Sequence, residues 1–350
     1  MIGPTDDPGA PSALASRETR ALHDRARAFF ERGAKERAQE TFVFDDGPLA
    51  DAGVHPVTYL PNPVTVTTPA APDRTEHASP RRAALRHRLV EAYGVEFARF
   101  TPDDQVFIYP VRAIRRKNVF EAALITMLQE RPTSLIVTLP GVSHQEKKYS
   151  AMVEHAFRDG TVPGLFGIGT SLEDHGITFP ELLDSADAVI SSSVQEGFGY
   201  QYITPLELGL PLIARRLDIM ADVEALFEGY PHTWYTSLRV PGSTPSLSGP
   251  YQLLRFRYEE RLDRLVGRLS RDVIDTLYKD LDSLLSPEVM EYSYLLPHMQ
   301  YVVLQDIRRN PGFRKEVADL NRDVLKQTAR SLATPGVPGV NAIEQRFGLK

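Results

Sequence analysis

Cysteine is absent from this chain of 350 residues, tryptophan occurs once, and neither acidic nor basic residues dominate. Without a thiol there is no disulfide, thiolate zinc site, iron–sulfur cluster or cysteine nucleophile, and the usage leans toward a cytoplasmic protein. The balance of 40 Lys+Arg against 46 Asp+Glu leaves a formal net charge of −6, so a broad electrostatic grip on DNA, RNA or an anionic membrane is not expected. Long hydrophobic runs are missing too: nowhere do about 18 uncharged apolar residues follow one another, as a membrane span requires. The opening Met1-Ile2-Gly3-Pro4-Thr5-Asp6-Asp7-Pro8 has neither a basic nor an apolar stretch and reads as no export signal. What is present, 42% hydrophobic and 25% charged residues, is the composition of a soluble globular protein with enough chain for two ordinary domains, or one large domain and an appendage.

Residues 1–12, rich in Pro, Gly and Asp, read as a disordered start. Over 13–40, Leu22, Ala26, Phe29 and Phe30 fall on one side of a helical wheel and predict an amphipathic helix. Two short β-prone runs follow at 41–44 and 56–60, separated by Asp-Gly turn chemistry, and the five prolines of 61–80 predict an extended connector leading to a helix before residue 104. From residue 105 the rhythm changes. Apolar runs at 106–109, 135–139, 165–168, 188–190 and 212–214 alternate with helical patterns such as 119–130, 146–157 and 179–186. Continuous apolar strands joined by helices predict an α/β, Rossmann-like parallel sheet covered on both faces over 105–240. Such sheets bind ligands outside the carboxyl ends of their strands. The remainder, 250–350, reads as a helical C-terminal region that serves as packing or as a lid, and no internal repeat is present.

After the first run, Arg112, Arg115, Arg116 and Lys117 stand between a strand end and a helix start. Free backbone N–H groups and the positive helix end make that an anion site, or else the run is a solvated basic loop. After the fourth run, Glu196 with Gly197, Phe198 and Gly199 offers a carboxylate to accept from sugar hydroxyls and unobstructed backbone N–H groups; a tight strand-to-helix turn is the other reading.

Together these residues resemble a known family. Arg112-x4-Lys117, the Leu182-Leu183-Asp184-Ser185-Ala186-Asp187-Ala188-Val189 stretch, Ser193-x2-Glu196-Gly197-Phe198-Gly199 and Gly209-Leu210-Pro211-Leu212-Ile213-Ala214 occur in order over residues 112–214. They look like the C-terminal, donor-binding half of retaining GT-B-fold glycosyltransferases of the family 4 (group 1) type, and Tyr59-Leu60-Pro61-Asn62-Pro63-Val64 resembles the interdomain Pro-Asn segment before that half. The resemblance implies that Arg112 and Lys117 hold the diphosphate of a nucleotide-sugar donor, that Glu196 binds donor-sugar hydroxyls, and that Gly197, Phe198 and Gly199 add backbone contacts. It implies no divalent metal or other cofactor.

The chain departs from the family pattern at two places. Where the family has a second glutamate that grips the ribose, this sequence has Thr204, with Glu207 within one helical turn. The resemblance also implies a separate acceptor-binding half, of which residues 1–60 show only a last helix and strands, so a partner polypeptide or self-association is expected to complete the acceptor side. His144 falls where a nucleotide contact or a plain surface histidine fits, and Glu224 where the family turns toward the donor base. The cations of 81–88 read as a solvated helix face, Asp184 and Asp187 as lying at the wrong end of the sheet for chemistry, and Trp234 and Tyr235 as core. Two other readings stay open. A non-catalytic nucleotide-sugar-binding subunit of a split transferase is favoured by Thr204 and the short N-terminal region; a nucleotide-sugar epimerase-like enzyme is disfavoured by the combination of Arg112, Lys117 and Glu196.

Overall fold

The computed structural model describes residues 80–334 apart from 98, 197–199, 221–223, 225–226, 243–247 and 287. The chain divides into two compact units, 1–67 and 68–350, and the description concerns the second. The start at 1–12, the helix at 13–40, the runs at 41–44 and 56–60, the segment at 59–64 and the connector at 61–79 lie outside the described residues.

Each of the five apolar runs forms a strand: β1 (Gln105–Arg112), β2 (Thr133–Leu139), β3 (Gly164–Phe166), β4 (Ala188–Ser191) and β5 (Leu212–Arg215). Their side chains are buried on both faces, which is why the runs are continuously apolar rather than alternating. Between them lie α2 (Val119–Leu128), α3 (His144–Arg158), α4 (Phe179–Asp184) and α5 (Tyr200–Leu208), and α1 (Pro80–Tyr93) precedes β1. A sixth strand, β6 (His232–Tyr235), joins the edge beside β5. All pairings are parallel and the order is β3-β2-β1-β4-β5-β6. The chain reverses its direction of winding between β1 and β4, so the loops after those two strands flank the crevice where doubly wound sheets bind their ligands. β3 stops at Phe166, because Gly167 takes a left-handed φ of 74° and Ile168 opens a short 3-10 turn. Gly164 is obligatory: a Cβ there would lie 1.9 Å from the Leu135 carbonyl oxygen.

The C-terminal region is more than helices. β7 (Arg239–Pro241) pairs antiparallel with β8 (Val289–Glu291), and α6 (Ser248–Asp263) and α7 (Arg271–Leu284) are inserted between them. That insertion exposes Leu253, Phe256, Val266, Leu269 and Val273. The chain then returns to the sheet: α8 (Pro297–Arg309) packs on α2, α9 (Pro311–Leu320) on β7, and α10 (Arg322–Ala333) on β6, where the Ser331 hydroxyl donates to the His232 carbonyl at 2.6 Å. Among the described residues no helix is long and apolar enough to cross a membrane.

The cationic run of 81–88 is a solvated face only in part: Arg81 and His87 are exposed, but Arg82 and Arg86 are not. Arg82 and Arg86, one turn apart, are buried and both meet Asp187, at 3.0 and 2.6 Å, while Arg86 also donates to the carbonyls of Ser185 and Asp104. Asp187 accepts in addition from the Val106 N–H at 2.8 Å, so it ties α1 to the start of β1 at the amino edge of the sheet. Composition alone pointed to solvent because nothing local shows that this helix face turns inward onto a carboxylate 101 and 105 residues further along the chain. Asp184, paired with Arg81 at 3.4 Å, sits at the same edge, away from the crevice.

Candidate functional site

Beyond Arg112, the β1 strand runs into a 3-10 turn at Arg115–Lys117, and Asn118 adopts left-handed φ 50° and ψ 47° before α2 starts. Asn tolerates that region better than other side chains with a Cβ, and here it reverses the chain so that Lys117 stands over the strand ends. The loop is sewn to the one after β4. The Tyr109 hydroxyl donates to the Lys117 carbonyl at 3.0 Å and pairs with the Ser193 hydroxyl at 2.8 Å; the Ser192 hydroxyl donates to the Lys117 and Asn118 carbonyls, and the Val194 N–H to that of Arg116. Burial drives the Tyr109 phenol far above its ordinary pKa, so it stays a neutral donor.

This stitching brings Lys117 and Glu196 together across the crevice. The ammonium lies 2.5 Å from Glu196 Oε1, with the two side chains only 12% and 7% exposed, and Arg116 reaches Oε2 at 3.3 Å and the Gln195 carbonyl at 3.1 Å. Burial pushes the Glu196 carboxyl up, but hydrogen bonds from Lys117 and Ser193 and the charges of Lys117 and Arg116 outweigh it, so the carboxyl is held below its usual range. Burial also lowers the Lys117 ammonium, against the opposing pull of Glu196. The result is a desolvated cation and carboxylate at the switch point, one able to bind an anion and the other to accept from hydroxyls.

Arg112 stands at the same edge but turns away, 48% exposed and 3.8 Å from Glu146. Glu146 closes the capping box at the start of α3, accepting from the N–H groups of Val142 and Ser143 at 3.0 Å each. His144, the first residue of α3, is exposed beside that cap. Thr204 is half-buried in α5; Gly197, Phe198 and Gly199, and the side chain of Glu207, lie outside what the structure describes. Glu224 pairs with Arg216 beyond β5, at 2.5 and 3.0 Å. Tyr235 is buried in the core, as expected, with its hydroxyl on a carboxylate, and Trp234 is half-buried, packed among the rings of Tyr202, Phe227 and His232.

That carboxylate, Glu121, belongs to a charged cluster the sequence reading missed. Glu121 is fully buried; the Arg215 Nε and Nη2 donate to its two oxygens at 2.9 and 2.8 Å, and Tyr235 donates at 2.9 Å. The Arg215 guanidinium also reaches Glu291 Oε1 at 2.8 Å and the Thr236 carbonyl at 2.6 Å. A signal was there: one charge within the apolar helix sequence of α2, and one at the end of the apolar strand β5. With two carboxylates to one guanidinium, burial holds the Glu291 carboxyl above its usual range, and its Oε2 has no hydrogen-bond partner among the described residues. A folded pKa above the unfolded one means that ionising Glu291 costs stability. Wild-type stability relative to Glu291→Gln is therefore expected to be level below the ordinary carboxylate range and to fall as pH rises from there through the raised value. Urea melts of both proteins across that range check it; a difference independent of pH would refute it.

Among the described residues no three His, Asp or Glu side chains are grouped to hold a metal ion. No protein-family model matches the sequence. The chain is similar to mannosylglucosyl-3-phosphoglycerate synthase of Petrotoga mobilis, 27% identical over 252 residues that make up 71% of this chain and 46% of that protein. It thus spans about half the length of the curated relative it matches. Among solved structures, HepE (Alr3699) of Anabaena in complex with UDP and glucose aligns with a TM-score of 0.32 and 16% identity, over 73% of this chain and 53% of that one. The same protein with UDP-glucose gives 0.33 and 15%, over 72% and 54%.

Proposed function

We propose that the chain is a nucleotide-sugar-dependent glycosyltransferase, and that the described unit is the donor-binding half of a retaining GT-B enzyme of the family 4 type. The observation that carries this reading is the desolvated Lys117–Glu196 pair in the β1/β4 crevice. Support comes from the motif order over 112–214 and from the similarity to a curated synthase named for a sugar-bearing product, mannosylglucosyl-3-phosphoglycerate. In this reading the donor diphosphate takes Lys117 from Glu196, and the freed carboxylate turns to hydroxyls of the donor sugar. Cations that hold the diphosphate stabilise it as it leaves, which is where charge develops in the transition state. Arg112, exposed and only loosely paired, supplies a second cation without losing a buried bond. Glycosyl transfer also requires the acceptor hydroxyl to be held against the donor in a cleft closed to water.

Thermal-shift screening against UDP, GDP, ADP and their sugar derivatives tests the reading. A ligand at 100 times its Kd adds about 2.7 kcal/mol of stability. One nucleoside diphosphate and its sugar form are expected to raise the melting temperature; no shift with any of them would refute a donor site.

A further inference from the structure

The buried network below the crevice touches neither face of the proposed donor site, yet it contacts the residue that aims Lys117. Asn118 is the one described non-glycine residue with positive φ, and it follows Lys117 directly. Its side chain is fully buried and bonded on every side. Nδ2 donates to Glu121 Oε2 at 2.8 Å, and Oδ1 accepts from Gln300 Nε2 at 3.0 Å and Arg115 Nη1 at 3.3 Å. Its carbonyl takes the Ser192 hydroxyl and the Glu121 N–H. Asn visits the left-handed region more readily than other side chains with a Cβ, and these contacts fix it there.

Glu121 is the hub. Its two oxygens receive Asn118, both ends of the Arg215 fork and the Tyr235 hydroxyl. Arg215 ends β5 and Tyr235 ends β6, so the carboxylate is fixed from two strand ends at once, and through Arg215 it is tied to Glu291 on β8. An ion pair buried this deeply is a poor way to gain stability, because apolar residues of the same volume avoid its desolvation cost. What the fork and the hydroxyl do provide is direction: the carboxylate cannot rotate, and so neither can Asn118.

We propose that the Asn118–Glu121–Arg215 network positions the Lys117 ammonium: by locking the left-handed turn it holds Lys117 against Glu196 at the crevice. Asn118 and Glu121 are positioning residues and not catalytic ones, since none of their contacts is with Lys117 Nζ or Glu196. The geometric claim concerns the Lys117–Glu196 pair itself; its use in donor binding rests on the function proposed above, and the two are separable by experiment.

Two variants of the full chain probe the network at different points. Asn118→Gly keeps the left-handed turn allowed and leaves the Glu121–Arg215 pair intact, but cuts the tie between turn and hub. Glu121→Gln keeps the hub's shape without its charge. The readout is the titration of the Glu196 carboxyl by carbon-13 NMR, assigned through Glu196→Gln. In the wild type Glu196 should titrate below the ordinary carboxylate range, and in both variants its midpoint should move up toward it, because Lys117 is no longer held in place. A merely structural network would lower the melting temperature and leave the Glu196 midpoint of the folded protein where it was; that result in Asn118→Gly alone overturns the proposal, so a failure of Glu121→Gln to fold does not shelter it. Inorganic pyrophosphate binding is the second arm, with Asn118→Gly expected to weaken it about tenfold, or about 1.4 kcal/mol. A shifted Glu196 midpoint in a protein whose wild type binds no pyrophosphate supports the positioning role and refutes the donor reading.

Discussion

Replacing Lys117 by alanine is expected to weaken binding of the preferred nucleoside diphosphate by about 1.5–3 kcal/mol, the loss of a charge-assisted hydrogen bond made away from water. Because the partner carboxylate is only 7% exposed, the same change leaves Glu196 buried without its closest cation and lowers the melting temperature as well. Affinity must therefore be measured on the folded fraction, by calorimetry well below the transition. Glu196→Gln separates the two halves of the site. The bare diphosphate no longer competes with a carboxylate for Lys117 and should bind as well or better, whereas the sugar nucleotide loses its hydroxyl acceptor and should bind more weakly. Equal losses for both ligands would remove Glu196 from the sugar side. The pair also has a pH signature. Glu196 is held below the ordinary carboxylate range, so its contribution to stability is full above that range and is lost as pH falls through the lowered value.

The largest loss of stability is expected from Arg215→Ala. It leaves Glu121, fully buried, and Glu291, 5% exposed, without their shared guanidinium. Removing one partner of a buried ion pair costs roughly 3–5 kcal/mol, since the remaining charge stays desolvated. At roughly 2–4 °C for each kcal/mol, the melting temperature should drop by about 6–20 °C. Arg215→Lys should recover only part of it, because an ammonium cannot span both Glu121 oxygens and Glu291 together. Scanning calorimetry of the two variants decides the matter. A drop of about 1 kcal/mol or less in Arg215→Ala would show that the carboxylates find water or protons instead, and that the cluster does not hold the strand ends.

The strands β1 to β5 were legible in the amino-acid sequence because each is buried on both faces, and double burial leaves an uninterrupted apolar run such as Leu135-Ile136-Val137. The two crevice loops were legible for the same reason, as the polar residues that follow those runs. β6 was not. It alternates half-buried and buried positions and opens on His232 and Thr233, so its four residues do not stand out from a loop. β8 was lost inside a helical stretch because three residues carry no period that can be recognised.

What the sequence determined by itself was local: where strands and helices run, which loops carry cations and carboxylates, and that these loops leave the same edge of a parallel sheet. Which charges meet was decided by the tertiary structure. Lys117 and Glu196 are 79 residues apart and become neighbours only because β4 lies beside β1. Arg112, in the same basic run as Lys117, is drawn instead toward the capping carboxylate of α3 on the β2 side. Arg82 and Arg86 leave solvent because Asp187 stands below their helix, and Glu121 accepts burial because Arg215 and Tyr235 arrive from two other strand ends. Apolar patterning is set by neighbours along the chain, and a sequence displays it directly. A buried charge depends on a partner within a few ångströms, and that distance is set by strand order and register, which no local pattern records.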